Sequence, residues 1–285
     1  MYKTIETMLQ FISLGSGSSG NCYLLYTDND AILIDAGIGV RTMKKHFRDY
    51  GLSLSQIHYI ILTHDHADHV KSVGSLSKEL QLPVYATRNV YKGINGNWCV
   101  KNKVTGDLAK VIEPNNTFTL GDFTITPFIV PHDSFENVGY QIVVEGVTFC
   151  LITDAGSVTE EMKQFINAAN YLVIEANHDV EMLKGGNYPQ YLKERILGPR
   201  GHLSNYDCGK AIAENATLKL KHAWLCHLSD ENNHPELAKK TVEQVLASYG
   251  IIAGVDFKIE VLKRKVPTGI YELTLSDDTE PGQTM

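Results

Sequence analysis

Two features that mark membrane and secreted proteins are missing from this chain. It has no run of about 18 apolar residues, so no membrane-spanning helix is expected. Its five cysteines, an odd number, include no CxxC pair, which favours reduced thiols in an intracellular protein. Residues 1–10 carry Glu6 and no long apolar stretch, so we expect no signal peptide and predict a cytoplasmic protein.

The chain also lacks an excess of positive charge, since its net charge is −7. No global basic field therefore attracts nucleic acid, although a local basic patch remains open. The 285 residues, 43% of them hydrophobic, suit one large or two small domains with a substantial core. Residues 276–285 are polar except for the last, so we expect a disordered tail after one continuous domain, 1–275.

Apolar runs and turn residues predict two similar successive halves. In each half, hairpins precede an alternation of strands and helices, and no linker separates the halves. One helix is expected over residues 70–80, whereas residues 88–110, rich in Asn, Gly and Lys, are expected to be irregular. The pattern predicts an α/β protein with two sheets and helices outside them.

Histidine and aspartate are concentrated in residues 63–69, Thr-His-Asp-His-Ala-Asp-His, directly after the apolar run 59–62. Imidazole and carboxylate groups bind divalent transition metals, and burying so many of them without partners would be costly. Four more candidates each follow an apolar strand, and these are Asp35, His132, Asp154 and His227. Because strand ends converge at one rim of a sheet, we expect these side chains to meet in a metalloenzyme site.

These motifs resemble those of the metallo-β-lactamase superfamily. Residues 64–69 match its HxHxDH signature, and the four strand-end residues match its other motifs in the same order, within residues 11–265. Four further segments resemble the YycJ/WalJ subfamily, and these are 15–21, 175–179, 201–205 and 227–233. That subfamily is regarded as a group of bacterial exonucleases acting on DNA.

The resemblance implies a four-layer αββα sandwich that holds two divalent metal ions. The implied ligands are His64, His66 and His132 for one ion and Asp68, His69 and His227 for the other, with Asp154 as a bridge. Zn²⁺, Mn²⁺ and Fe²⁺ all accept such ligands, and Zn²⁺ or Mn²⁺ is favoured here. Asp35 would orient a ligand histidine, and a hydroxide shared by the ions would attack phosphorus.

The resemblance also implies catalytic roles for Asp68, His202 and Glu175. His202 would donate a proton to the leaving oxygen, and Glu175, after the apolar run 172–174, would raise the pKa of that histidine. Simpler interpretations stay open: His202 could bond only to backbone, and Glu175 could accept bonds from neighbouring amides. Asp35 and Asp154 could likewise cap turns.

Three segments bear on the substrate, and each has two interpretations. Residues 184–221, with seven basic and three acidic side chains around His202, could contact phosphate or form solvated helix faces. Residues 88–110 contain Trp98 and several basic residues, and could clamp a strand end or form a mobile loop. The glycine-serine segment 15–21 could present amides to phosphate or make a tight turn.

The sequence thus favours a cytoplasmic di-metal phosphodiesterase. The resemblance implies the activity of a DNA exonuclease that acts from the 5′ end and is connected with DNA repair, with DNA favoured over RNA as substrate. Two alternatives remain: hydrolysis of a small phosphodiester or thioester, and a non-catalytic regulatory protein that holds metal. The complete ligand set together with His202 speaks against the second alternative, because a scaffold needs no acid.

Overall fold

The structure, a computed structural model, describes residues 8–275, so the predicted disordered tail 276–285 lies outside the described residues. The strands are β1 Leu9–Gly15, β2 Cys22–Tyr26, β3 Ala31–Ile34, β4 Tyr59–Ile61, β5 Val84–Thr87, β6 Ala109–Ile112, β7 Phe118–Leu120, β8 Phe123–Ile129, β9 Val138–Val144, β10 Val147–Ile152, β11 Tyr171–Glu175, β12 His222–Cys226, β13 Lys258–Val261 and β14 Tyr271–Leu273. The α-helices are α1 Val40–Asp49, α2 Ala67–Val70, α3 Val73–Leu80, α4 Arg88–Gly96, α5 Glu160–Ala168, α6 Val180–Gly185, α7 Gln190–Leu197, α8 Asn205–Asn215 and α9 Pro235–Ser248.

These strands form two seven-stranded sheets with the orders β14-β1-β2-β3-β4-β5-β6 and β13-β12-β11-β10-β9-β8-β7. In the first sheet, β14 to β3 pair antiparallel and β3 to β6 pair parallel. The second sheet repeats this pattern, antiparallel from β7 to β10 and parallel from β10 to β13. The predicted repetition of hairpins followed by strand-helix alternation is therefore confirmed.

Three hydrophobic layers hold the sheets and helices together. The central layer joins the two sheets, with Phe11 of β1 packed against Trp224 of β12. The outer layers place α1, α3 and α4 against the first sheet and α5, α8 and α9 against the second. Because the central strands are covered on both faces, their sequences are continuous apolar runs, as in the fully buried β2. The predicted αββα sandwich is confirmed.

Two local predictions were wrong. The helix expected over 70–80 is two helices, α2 and α3, because Ser72 between them donates to Ala36 and Ile38 oxygens. The segment expected to be irregular, 88–110, begins with helix α4, which Thr87 caps by accepting a bond from the Val90 amide. The short elements α6 and β14 were not predicted.

The parallel strands direct their carboxyl ends to one rim of the molecule. Strands β3 and β4 of the first sheet end there, as do β10, β11 and β12 of the second. Strand β8 also ends there, because two antiparallel pairings relate it to β10. Among the described residues, no helix is long and apolar enough to cross a membrane.

Candidate metal centre

The residues that follow these strands adopt an unusual backbone conformation. Asp35, Asp154 and His227 have φ values of 60°, 52° and 53°, in the left-handed region that side chains other than glycine rarely adopt. All three are buried at the ends of β3, β10 and β12. Strain of this kind persists only where the surrounding structure enforces it, and it is concentrated at functional sites.

A first cluster consists of three histidines. The rings of His64, His66 and His132 lie with centroids 4.8 to 5.2 Å apart, and His132 Nε2 is 3.2 Å from His66 Nδ1. His64 and His132 are buried, whereas 31% of the His66 side chain is exposed. Their nitrogens lie close enough together to hold one metal ion.

A second cluster consists of Asp68, His69 and His227, whose ligand atoms also lie close enough for one ion. Asp68 Oδ2 is 3.3 Å from His227 Nε2 and 3.7 Å from His69 Nε2. Asp68 and His69 belong to the short helix α2, whereas His227 comes from the opposite sheet. The cluster is therefore assembled across the interface between the two sheets.

Asp154 lies between the two clusters. One carboxylate oxygen, Oδ2, is 3.1 Å from His69 Nε2, and the other, Oδ1, is 3.8 Å from His132 Nε2. Oδ1 is also 3.3 Å from His227 Nδ1. One buried carboxylate thus contacts members of both groups, which is the position that a bridging ligand occupies.

His64 provides the test of whether these residues fit a metal ion. Its Nε2 atom is buried and has no hydrogen-bond partner in the protein, although a buried polar atom without a partner is costly. Burial, aided by the neighbouring His69, holds the pKa of His64 well below its ordinary value and keeps the ring neutral. A neutral imidazole nitrogen among other imidazoles and a carboxylate is the donor set of a divalent transition metal.

Asp35 orients the second cluster, as the resemblance implied. Its Oδ2 atom is 2.7 Å from His69 Nδ1, so the opposite ring nitrogen, Nε2, faces Asp154. The carboxylate also accepts bonds from the amide and hydroxyl of Thr63, at 2.8 Å each. The alternative that Asp35 only caps a turn is therefore incomplete, since its side chain fixes a candidate ligand.

His202 and Glu175 meet beside the clusters. Glu175 Oε1 is 2.8 Å from His202 Nδ1 and 2.9 Å from His227 Nδ1. Burial opposes protonation of His202, but the Glu175 carboxylate outweighs it and raises the histidine's pKa above the ordinary value. Glu175 also accepts bonds from the Ala155 and Leu203 amides, so it is both the histidine's partner and an acceptor for backbone.

Two polar contacts at the clusters were not foreseen. The side-chain nitrogen of Asn21 is 2.8 Å from His69 Nε2 and 3.3 Å from Asp68 Oδ2. Asp133, the residue after His132, places Oδ1 3.7 Å from His66 Nε2 and bonds through Oδ2 to Arg195. The sequence signals were the position of Asn21 at the end of the glycine-serine segment and that of Asp133 directly after the strand-end histidine.

The glycine-serine segment 15–21 forms a tight turn that serves the protein's own structure. An added Cβ at Gly20, whose φ is 150°, would lie 2.2 Å from the Gly37 oxygen. The amides of Ser16, Gly17, Gly20 and Asn21 all bond to protein oxygens. Ser16 Oγ in turn accepts a bond from the His227 amide at 2.9 Å. The turn interpretation is therefore favoured over phosphate binding.

Basic residues near His202 have structural partners. Arg200 Nε donates to the His132 oxygen at 2.7 Å, and Arg195 bonds to Asp133. Lys193 donates to the Lys184 oxygen at 2.6 Å. Some of the basic side chains in 184–221 therefore bond within the protein, two of them to the loop after β8, and are not free to bind phosphate.

Comparisons with known proteins show the family of the chain. A family model described as the beta-lactamase superfamily domain matches residues 30–228. Exodeoxyribonuclease YycJ of Bacillus anthracis is 38% identical over 265 residues, covering 92% of this chain and 98% of the relative. Exodeoxyribonuclease WalJ of Streptococcus pneumoniae is 35% identical over 268 residues, covering 94% and 99%.

A solved structure supports the fold. The metallo-β-lactamase fold protein YhfI from Bacillus subtilis superposes with a TM-score of 0.70, covering 94% of this chain and 100% of that protein, at 18% identity. Fold, clusters and family match together define a metal-dependent hydrolase. The chain belongs to the metallo-β-lactamase superfamily and, within it, to the YycJ/WalJ family.

Proposed function

We propose that this hydrolase is a cytoplasmic DNA exonuclease that works with two divalent metal ions. The observation that carries the proposal is the position of Asp154, whose two oxygens face His69 and His132 of separate clusters. The names of the relatives, both exodeoxyribonucleases, support DNA as the substrate. Cleavage from the 5′ end and a role in DNA repair rest on the subfamily resemblance and belong to the same proposal.

The proposed ligands are those of the two clusters. One ion would bind His64, His66 and His132, the other Asp68, His69 and His227, with Asp154 shared between them. Zn²⁺ or Mn²⁺ fits this donor set, and Fe²⁺ is also acceptable. The five cysteines, all free and four of them buried, support a reducing compartment such as the cytoplasm.

The metal ions, when bound, supply a water of lowered pKa and neutralise charge on the phosphate oxygens. The chain supplies the proton for the leaving oxygen. Because His202 Nδ1 donates to Glu175, the charged ring carries its second proton on Nε2, from which it can be released. Glu175 keeps the ring in this orientation through its own bonds to the Ala155 and Leu203 amides.

The test compares two histidines at opposite ends of strand β4. His66 lies after the strand in the first cluster, whereas His58 lies before it and pairs with Asp30. With Mn²⁺ or Zn²⁺ and end-labelled DNA, we expect His66→Ala to abolish nucleotide release and His58→Ala to retain it. Equal rates for wild type and His66→Ala would contradict the proposal.

Two further arms of this assay address the substrate. Duplexes labelled at the 5′ or the 3′ end report polarity, and we expect mononucleotides to come first from the 5′ end. An RNA strand of the same sequence should be cut more slowly than DNA. Turnover of bis-para-nitrophenyl phosphate without any action on DNA would instead indicate a small-phosphodiester hydrolase.

A further inference from the structure

Two large aromatic side chains are exposed beside the metal-ligand motif. Trp98 is 88% exposed and Phe135 is 66% exposed. They come from different layers of the fold, Trp98 from the segment after α4 and Phe135 from the loop after β8. Large aromatic side chains left in water forfeit the gain from burying them, so exposed rings on segments anchored to one motif indicate a contact surface.

Asp65, between His64 and His66, ties both aromatic segments to the motif. Its backbone oxygen accepts a bond from the side chain of Asn97, the neighbour of Trp98, at 2.8 Å. Its Oδ1 atom accepts a bond from the Phe135 amide at 3.1 Å. The buried Asp65 therefore ties the chain segments that carry Trp98 and Phe135 to the motif that contains the partly exposed His66.

Further contacts make this support rigid. Gly93 of α4 packs so closely that an added Cβ would lie 2.2 Å from Asp65 Cγ. Lys103 Nζ donates to the oxygens of Ile94 and Asn97, at 2.7 and 2.6 Å, and so closes the end of α4. Asn89 of α4 bonds to Glu136, the residue after Phe135, at 3.1 Å. We call Trp98, Phe135 and the segments that carry them the platform. A rigid platform loses little conformational entropy on binding.

The charge around Trp98 is positive. Residues 88–103 contain four basic side chains and no acidic one, in a chain whose net charge is −7. Of these, Arg88, Lys92 and Lys101 are exposed, whereas Lys103 is used inside the fold. Exposed cations on the same segment as an exposed aromatic ring are a combination that binds single-stranded nucleic acid, through phosphates and stacked bases.

We propose that Trp98 and Phe135 stack on bases of a single-stranded DNA end and hold it against the metal centre, with Arg88, Lys92 and Lys101 contacting its phosphates. This rests on the proposed nuclease function and names how its substrate is recognised. Stacking accepts every base, so the platform gives affinity for single strands without sequence preference. It also places the strand end beside His66, where the chemistry would occur.

Tryptophan fluorescence of the metal-loaded protein tests the platform directly. Trp98 is exposed and the other tryptophan, Trp224, is buried, so a stacked base should quench Trp98 selectively. The probe is a thymidine oligonucleotide with phosphorothioate linkages, which resist cleavage. We expect strong quenching in wild type and its loss in Trp98→Phe, which nevertheless keeps most of the affinity measured by anisotropy of the labelled probe.

Truncation and an abasic probe separate stacking from charge. Trp98→Ala and Phe135→Ala should each weaken binding about tenfold. An abasic probe of equal length, which keeps its phosphates but can stack on neither ring, should bind wild type more weakly than the normal probe binds either single variant. The matched control is Leu218→Ala, a 102% exposed apolar residue before β12, at the end of the strand away from His227. Its affinity should equal that of wild type.

Three outcomes would overturn the proposal that Trp98 and Phe135 stack on DNA bases. Equal binding of abasic and normal probes, or unchanged affinity in both alanine variants, would overturn it. A wild-type dimer that Trp98→Ala converts to monomer with unchanged DNA affinity would also overturn it, because the rings would then join two copies of this chain. Base-dependent binding without any DNA cleavage would support the platform and contradict the nuclease function instead.

Discussion

Glu175 is a buried carboxylate with every acceptor position in use. It accepts bonds from His202 and His227 through Oε1 and from the Ala155 and Leu203 amides through Oε2. Burial opposes its ionisation, but the neighbouring His202 holds its pKa below the ordinary value. A carboxylate satisfied in this way has little capacity left for a metal ion, and its contacts orient two histidine rings.

Removing the proposed acid should slow chemistry more than binding. His202→Ala should lower kcat by about 10²- to 10⁴-fold with a much smaller change in KM, because proton donation acts in the transition state. Steady-state kinetics on end-labelled DNA measure both constants. The loss of kcat in His202→Ala should be smaller on a DNA substrate with a better leaving group. A loss confined to KM would contradict the assignment of His202 as the acid.

The pH profile should report the pKa of His202. A histidine whose pKa is raised keeps its proton to a higher pH than an ordinary histidine and loses it as the pH rises through that pKa, so activity should fall on the alkaline side. In Glu175→Gln the negative partner is gone, the pKa falls, and the alkaline limb should move to lower pH. Metal content of the variant is the control, since Glu175 also contacts His227. An unmoved limb would rule out this pair.

Asp35 should govern metal affinity rather than the reaction itself. In Asp35→Asn the bond to His69 Nδ1 loses its charge, so the candidate ligand is less basic and less firmly oriented. We expect metal affinity to fall about 10- to 100-fold, as measured by competition with a chromogenic chelator. At a saturating metal concentration, Asp35→Asn should recover most of the wild-type reaction rate. Unchanged affinity would show that Thr63 alone orients the ring.

At the scale of elements, the turn after β3 and helix α2 interlock at Gly37. A Cβ added to Gly37 would lie 1.6 Å from the backbone oxygen of Asp68. Asp68 is the residue that supplies the carboxylate of the second cluster. Gly37→Ala should therefore displace Asp68 and His69, lower stability by about 1–3 kcal/mol and weaken metal binding.

A control glycine at the end of a helix separates this clash from the general effect of replacing glycine with alanine. Gly185, at the end of α6, has nothing within 4 Å of an added Cβ and no positive φ. Gly185→Ala should leave both the denaturant midpoint and the metal affinity unchanged or slightly higher. Equal behaviour of the two variants would mean that the turn and α2 can move apart without cost.

At the scale of the molecule, the candidate centre joins the two sheets. The HxHxDH segment follows β4 of the first sheet, whereas His132, Asp154 and His227 follow strands of the second. Metal ions held by these clusters would therefore connect the two halves of the sandwich across their shared apolar layer. Ligands that bind only the folded state stabilise it by mass action.

Chelation should thus lower the melting temperature of the whole protein. Metal at about 100 times its Kd contributes about 2.7 kcal/mol, which corresponds to roughly 5 °C or more in Tm. Thermal melts with and without EDTA measure this difference. Asp154→Ala, which removes the residue that contacts both clusters, should lose most of it, and His58→Ala should keep it. A wild-type Tm that EDTA does not change would contradict a metal centre across the sheets.

The sequence by itself determined the type and the chain positions of the candidate ligands. Apolar runs record burial locally, so strand ends such as Asp35, Asp154 and His227 could be located without a structure. The two sheets also followed from the repeated order of hairpins and helices. The local predictions failed where side-chain hydrogen bonds decide helix ends. Thr87 caps a helix in the segment expected to be irregular, and Ser72 divides an expected helix.

Only the tertiary structure decided how those residues work together. Asp154 faces two clusters, Glu175 contacts both His202 and His227, and Asp65 bonds to the Asn97 side chain and the Phe135 amide. Each of these is a contact between segments that lie far apart in the chain. Hydrophobic periodicity carries no information about such contacts, because it reports which face of an element is buried and not which neighbour covers it. The packing of one sheet on the other supplies that choice.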